Sequence, residues 1–220
     1  MSLKFYYAPM STATLTELVL AELGVPHEAI KVDINKGDEA KAELLAINPN
    51  GKVPTLVHDG SVIWESAAIN IYLGETFGAE KGLWPAQGPK RGEAMKWICW
   101  SNVTLGDAVY RWMRNTSDWA PADEKNEKAG EGGKRDIAAC LKIVDDALAK
   151  SQYLVGDSYT LADTHVHSHL DWVRHLKIDF TPYKNLNAWA ERCSSRPAYQ
   201  KIVAAAFAAM AASAPQDAKS

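Results

Sequence analysis

The segment Asn48-Pro49-Asn50-Gly51-Lys52-Val53-Pro54-Thr55-Leu56 constrains its surroundings more than any other stretch of the chain. Pro54 opens a β-like Thr55-Leu56-Val57 run. A proline has no N–H to give to a ladder, so a strand that begins here keeps its N-terminal edge free. A cis Val53–Pro54 bond turns the Val53 N–H and C=O outward, where an extended peptide can pair with them as a short added strand. Nine residues after Val57 comes Ser66, in Ile63-Trp64-Glu65-Ser66. The Glu65-Ser66 pair opens a helical pattern, and the free N–H groups of a helix N-terminus favour carboxylates. A backbone clamp beside a carboxylate site implies a small peptide ligand.

Composition narrows the setting. The 220 residues are 47% hydrophobic, enough for one large domain or two small ones with real cores. The net charge of −3, with neither half strongly basic, argues against a nucleic-acid partner. No apolar run reaches the length of a membrane span. Met1-Ser2-Leu3-Lys4-Phe5-Tyr6-Tyr7 lacks a signal-like apolar core and enters a strand at once. The three cysteines, Cys99, Cys140 and Cys193, are scattered and form no CxxC pair, as expected for buried thiols in a reducing compartment. The expectation is a cytoplasmic protein.

Periodicity orders the elements. Leu3 to Tyr7 reads as a strand ended by Ala8-Pro9. Leu15, Leu18, Val19 and Leu23 recur at helical spacing, and Gly24-Val25-Pro26 stops that helix. Glu28 to Asp33 alternates as a strand, and Asp38 to Ile47 reads as a helix. Thr55-Leu56-Val57 and Val62-Ile63-Trp64 flank Asp59-Gly60, a hairpin signal. Ser66 to Phe77 forms a third helix. The order βαβ then ββα is the thioredoxin-like layout. After the connector Leu83-Trp84-Pro85-Ala86, the chain reads helical. Met95, Trp97, Ile98, Trp100, Val103 and Leu105 mark one long helix. Residues 117 to 135 read as a mobile, Gly- and Lys/Glu-rich break. Ile137 to Leu148, Leu161 to Leu176, Leu186 to Arg196 and Tyr199 to Met210 complete the helices, and disorder is expected after Ser213. The expected organisation is an α/β thioredoxin-like domain over residues 1–80, a linker over 81–89 and an all-α helical domain over 90–220.

Four segments in this order resemble the cytosolic glutathione S-transferase family. Lys4-Phe5-Tyr6-Tyr7-Ala8-Pro9-Met10-Ser11-Thr12-Ala13-Thr14 is similar to the family's first strand and catalytic loop. Asn48-Pro49 to Val53-Pro54 is similar to its cis-proline loop, Glu65-Ser66 to its γ-glutamyl site, and Gly156-Asp157-Ser158-Tyr159-Thr160-Leu161-Ala162-Asp163 to the capping motif of its second domain. The resemblance implies a bacterial, serine-type-like enzyme that conjugates glutathione, its co-substrate, to small apolar electrophiles, with no metal. It also implies a homodimer with the third and fourth helices at the interface, and a role in detoxification. Members of the beta class carry a cysteine in the first loop and a His-Lys pair in the first long helix. Thr12 and Gly106-Asp107 stand there here, so the chain departs from that class.

The resemblance also implies roles for residues. Lys52, Val53, Pro54, Glu65 and Ser66 bind glutathione: Glu65 takes the γ-glutamyl ammonium, Ser66 the α-carboxylate, and Lys52 meets the glycyl carboxylate. The first helix begins with Ser11, Thr12 and Thr14 and no cysteine, so its use is to stabilise the ligand's thiolate. Lowering a thiol pKa by about two units from ~8.5 takes about 2.7 kcal/mol. A hydroxyl donor to an anion supplies ~1.5–3 kcal/mol, and a helix N-terminus ~0.3–1 kcal/mol. Ser11 is the first choice, since Pro9-Met10-Ser11-Thr12-Ala13-Thr14 follows the serine-type pattern, although Leu15 stands where arginine is common. Thr12 and Tyr6 remain open. Of Tyr6 and Tyr7, alternation puts one in the core and the other at the site wall.

Met10, Tyr110, Met113 and Arg114 are the candidates for the electrophile pocket. His165-x-His167-x-His169 has the look of a metal site, but on a helix only His165 and His169 align, so helix packing is the better reading. Thr160-Leu161-Ala162-Asp163 is a capping-box variant with a folding role. The remaining functional alternatives are a non-catalytic binding or regulatory protein, or a glutathione-dependent isomerase, dehalogenase or peroxidase.

Overall fold

In β1 (Leu3–Tyr7), Leu3 and Phe5 alternate into the core as a half-buried strand should. The computed structural model describes residues 2–34, 37, 41–118, 120–174, 176 and 178–213. The expected tail after Ser213 and residues 38–40 of the expected second helix lie outside these. Helix α1 (Ala13–Leu23) buries Leu15, Leu18, Val19, Leu20 and Leu23 and ends at Gly24, whose φ of 57° is the left-handed C-cap. Strand β2 (Glu28–Lys31) pairs parallel to β1, and α2 (Ala42–Ile47) follows.

Strand β3 (Thr55–His58) runs antiparallel to β1, with Phe5 opposite Leu56, and forms the expected hairpin with β4 (Ser61–Trp64). Asp59 and Gly60, at φ 46° and 86°, make its two-residue turn. Positive φ at both positions matches the strand twist, which explains the Asp-Gly signal. The sheet order is β2-β1-β3-β4. Helix α3 spans Ser66–Leu73, shorter than expected, and continues as a π-helical turn over Gly74–Gly78.

The second half is helical: α4 (Pro89–Trp100), α5 (Gly106–Thr116), α6 (Glu127–Leu148), α7 (Leu161–Arg174), α8 (Lys184–Ser194) and α9 (Pro197–Ser213). A π-helical turn, Ser101–Leu105, joins α4 to α5 and leaves Val103 exposed rather than on the apolar stripe. Helix α7 is buried along Leu161–Leu170 and packs on α1, bringing the two halves together. Arg196 seals this contact from beside α9, donating to both oxygens of the buried Glu22 carboxylate at 2.7 and 2.6 Å. Its guanidinium also stacks on Tyr159.

The break expected over residues 117–135 is shorter than expected: the described residues from Ser117 to Asn126 break the helices apart from a 3-10 turn at Ala122–Glu124, and from Glu127 the chain is helical. Asn126 caps α6 through its side chain, accepting from the Ala129 N–H, and the helix runs on through Gly130, Gly132 and Gly133. Gly130 and Gly133 serve close packing: a Cβ on Gly133 would lie 2.7 Å from the Trp112 nitrogen and 2.8 Å from the Ala108 carbonyl of α5. The cysteine expectation also needs amendment. Cys140 and Cys193 are buried, but Cys99 is exposed on α4.

Asp163 makes one arm of the expected capping box, while the Thr160 hydroxyl donates to it instead of accepting from its N–H. Its carboxylate accepts from the Thr160 N–H and hydroxyl, and also from the Leu154 N–H and the Trp189 indole, all at 2.9 Å. Burial lifts this carboxyl above its ordinary range, against the pull of the four donors.

Candidate functional site

A cavity of about 390 Å³ opens where the two halves meet. One wall comes from the start of α1, the loop before β3 and the start of α3. The other comes from the π-helical turn, α5 and α7.

The loop before β3 is shaped by one buried residue. The Asn48 amide donates to the Lys52 carbonyl and the Thr55 hydroxyl, and its oxygen accepts from the Asn50 N–H and side chain. Gly51 turns the chain at φ 56°. This framework presents Lys52, Val53 and Pro54 to the cavity, and the Val53–Pro54 bond is cis. Glu65, at φ 72°, holds a conformation that non-glycine residues rarely adopt. It turns the chain from β4 into α3 and leaves the first N–H groups of α3 at the cavity edge, where a helix has no internal acceptors for them. Met10, at φ 56°, is the other strained residue on the cavity wall.

All five expected clamp residues line this cavity, together with Ser11, Thr12, Met10, Tyr110 and Met113. Ser11 is half-buried; its hydroxyl donates to the Ala8 carbonyl at 2.7 Å and accepts from the Ala13 N–H at 3.2 Å. Thr12 is held more loosely, donating to the Val53 carbonyl at 3.4 Å. Neither Tyr6 nor Tyr7 is among the lining residues; Tyr7 stacks on Phe5 instead. Arg114 is absent from the lining too. It lies on α5 just past Met113 and pairs with Glu124 at 2.7 Å.

Sequence reasoning missed Asn102, His169 and Trp172, all on the helical wall. Their only signal was polarity in the wrong place: Ser101-Asn102 inside an apolar-striped helix, and three histidines along a buried one. The π-helical turn explains the first. Its extra residue re-aims the backbone, so that Ser101 meets His169 Nδ1 at 2.8 Å and Asn102 reaches Ser66 and His165. Burial pushes the His169 pKa down to about 4, which leaves a neutral ring at the cavity. The three histidines are packed side chains, each hydrogen-bonded within the protein. Among the described residues, no group of three or more His, Cys, Asp or Glu could hold a metal ion. Likewise, no helix there is long and apolar enough to cross a membrane.

Comparison with known proteins agrees with this geometry. Residues 1–75 match the model of the glutathione S-transferase N-terminal domain, and residues 108–197 that of the C-terminal domain. Glutathione S-transferase GstB of Escherichia coli is 34% identical over 188 residues, covering 84% of this chain and 89% of the relative. A crystal structure of a glutathione transferase from Methylococcus capsulatus superposes with a TM-score of 0.81 at 30% identity, covering 94% of this chain and 99% of that one. A sphingomonad glutathione S-transferase complexed with glutathione gives a TM-score of 0.78 at 26% identity, covering 93% and 98%. The chain belongs to the glutathione S-transferase family, which makes it an enzyme of the glutathione transferase class.

Proposed function

We propose that this chain binds glutathione in the cavity and joins its sulfur to small apolar electrophiles. The observation that carries the reading is the meeting, in one cavity, of Ser11, Val53 and Glu65-Ser66 with an apolar wall of Val109, Tyr110, Met113 and Trp172. The glutathione complex of the sphingomonad relative supports the choice of co-substrate. Residues 1–80 hold the peptide, 81–89 link, and 90–220 supply the electrophile wall. The Val53 backbone pairs with the cysteinyl unit, Glu65 takes the γ-glutamyl ammonium, Ser66 and the α3 N–H groups take its carboxylate, and Lys52 faces the glycyl end. Met10, at the rim, borders both substrates.

In the reaction, the sulfur, already deprotonated, forms a bond to an electrophilic carbon while the leaving group departs with its electron pair. Ser11 is the thiolate donor in this reading. Its proton must swing from the Ala8 carbonyl to the sulfur, while Oγ keeps accepting from the Ala13 N–H. The loose Thr12 bond makes Thr12 the rival donor. A homodimer through α3 and α4 is supported by Val103, an apolar side chain left exposed on the turn that follows α4. The three free cysteines support a reducing, cytoplasmic setting. The departure from the beta class rests on Thr12 and Gly106-Asp107.

Thiolate absorbance of the glutathione complex across pH tests the assignment in wild type, Ser11→Ala and Thr12→Ala. Ser11→Ala should raise the bound thiol's pKa by about one to two units and slow turnover near neutrality by roughly ten- to a hundredfold. A titration moved only by Thr12→Ala would transfer the role to Thr12. Glutathione binding without turnover across a panel of electrophiles would favour the regulatory alternative, and turnover confined to isomerisation, dehalogenation or peroxide reduction would redirect the chemistry.

A further inference from the structure

Behind Ser66 lies a buried chain of hydrogen bonds whose polarity is fixed from one end. Asn70 sits one turn after Ser66 on α3, and its amide Nδ2 is 3.2 Å from the Leu15 carbonyl and 2.7 Å from His165 Nδ1. A carbonyl can only accept, so the atom facing Leu15 is the amide nitrogen. Its second hydrogen then points at His165 Nδ1, which must be the accepting nitrogen of the ring. A neutral imidazole carries one proton, so that proton is on Nε2, which faces Asn102 Oδ1 at 2.7 Å. Asn102 thus spends its oxygen on His165 and turns its amide nitrogen to Ser66 Oγ, 2.8 Å away. Full burial disfavours a charge on His165, as does His169 beside it.

We propose that His165 and Asn102 are positioning residues that set the Ser66 hydroxyl as a donor into the cavity. Asn102 occupies one lone pair of Ser66 Oγ and, among the described residues, no acceptor takes the hydroxyl proton, so that proton is free to turn toward the ligand, where the γ-glutamyl carboxylate needs a donor. The inference rests on the glutathione reading above and deepens it. The chain starts and ends on α3 but runs through α7 and the π-helical turn, so the helical half takes part in recognising a group held by the α/β half. The polarity suits an acceptor: with Asn102 on one lone pair and the proton free, a carboxylate is favoured at this point.

Two measurements test the proposal. Nitrogen-15 NMR of histidine-labelled wild-type protein reads the tautomer directly and needs no variant; His165 should be protonated on Nε2, and a proton on Nδ1 overturns the chain. The second is glutathione affinity in a double-mutant cycle. Ser66→Ala should weaken binding roughly ten- to a hundredfold. Asn102→Ala should weaken it roughly three- to tenfold, and should add nothing in the Ser66→Ala background. The analogue 4-aminobutyryl-cysteinylglycine lacks the carboxylate and should bind wild type and Asn102→Ala alike. Additive losses, or an Asn102→Ala effect that persists with the analogue, would remove the relay while glutathione binding stands. Failure of the wild type itself to bind glutathione would remove the proposed function, and the relay with it.

Discussion

Asp163 and Ser66 are both buried polar residues in the first turn of a helix, and their surroundings differ in one respect. The Asp163 carboxylate accepts four donors, all from the protein's own chain, and its circuit is closed. The Ser66 oxygen accepts one donor and keeps its own proton for the cavity. A closed circuit as buried as that of Asp163 holds the fold together. An open one ends at a group that still needs a partner, and in a cavity that partner is a ligand. Completeness of hydrogen bonding thus separates Asp163 from Ser66; Ser11 stands between them, since its circuit is closed through the Ala8 carbonyl until its proton swings to a ligand.

The largest expected effect attacks the closed circuit. Asp163→Ala strands the Leu154 and Thr160 N–H groups, the Thr160 hydroxyl and the Trp189 indole inside the core. Each orphaned donor costs ~1–3 kcal/mol, partly offset by relaxation and entering water, so about 4 kcal/mol should be lost in urea unfolding. Folded Asp163→Ala protein should keep a near-normal KM for glutathione. A stable but inactive variant would put Asp163 on the open side of the comparison.

Next comes acid. His167 packs against Trp189 and Tyr199 and meets Ser194 at 3.1 Å, with Asp171 and Arg174 as its charged neighbours. Burial pushes its pKa from 6.5 down to about 4. Between these values the unfolded chain takes up a proton that the folded one refuses. Stability therefore falls as pH drops from 6.5 to about 4, by about 3 kcal/mol for this group, and its contribution is flat below. His169 adds to the same window. Unfolding free energies measured from pH 4 to 7 should show a shallower slope in His167→Gln; equal slopes would mean that the ring is already charged in the native core.

On the open side, Glu65→Ala should cost ~1.5–3 kcal/mol of glutathione affinity by calorimetry, with little change in Tm, since the Glu65 carboxylate has no partner among the described residues. A large drop in Tm together with unaltered affinity would make Glu65 a fold residue and dissolve the distinction at this position.

The clamp and the capping box were legible because each is local. Val53-Pro54 and Glu65-Ser66 sit in short segments whose backbone chemistry is written in adjacent residues, and Thr160 lies three residues before Asp163. The opposite wall was not legible. Asn102 meets Ser66 across 36 residues and His165 across 63, and no periodicity announces the π-helical turn that aims it. Arg114 shows the converse. Its place beside Met113 suggested the cavity, but one position along a helix turns a side chain by about 100°, and Glu124 captures it.

The smallest effects concern α6, where sequence reasoning took glycines for a break. The closed and open contrast recurs here in the backbone. Gly133 is closed in: an added Cβ would press on the Trp112 nitrogen and the Ala108 carbonyl, backbone atoms of α5 that cannot yield without moving the helix. Gly133→Ala should therefore cost ~1–3 kcal/mol, the usual scale of overpacking. Gly132 is open, with nothing nearer than the flexible tip of Arg111 at 3.6 Å. Gly132→Ala should stabilise by ~0.5–1 kcal/mol, because alanine gives up less backbone freedom on entering a helix. Urea midpoints of the two variants should shift in opposite directions. Two shifts of the same stabilising sign would mean that α6 does not pack against α5 here, and that the glycines mark a loosely held segment after all.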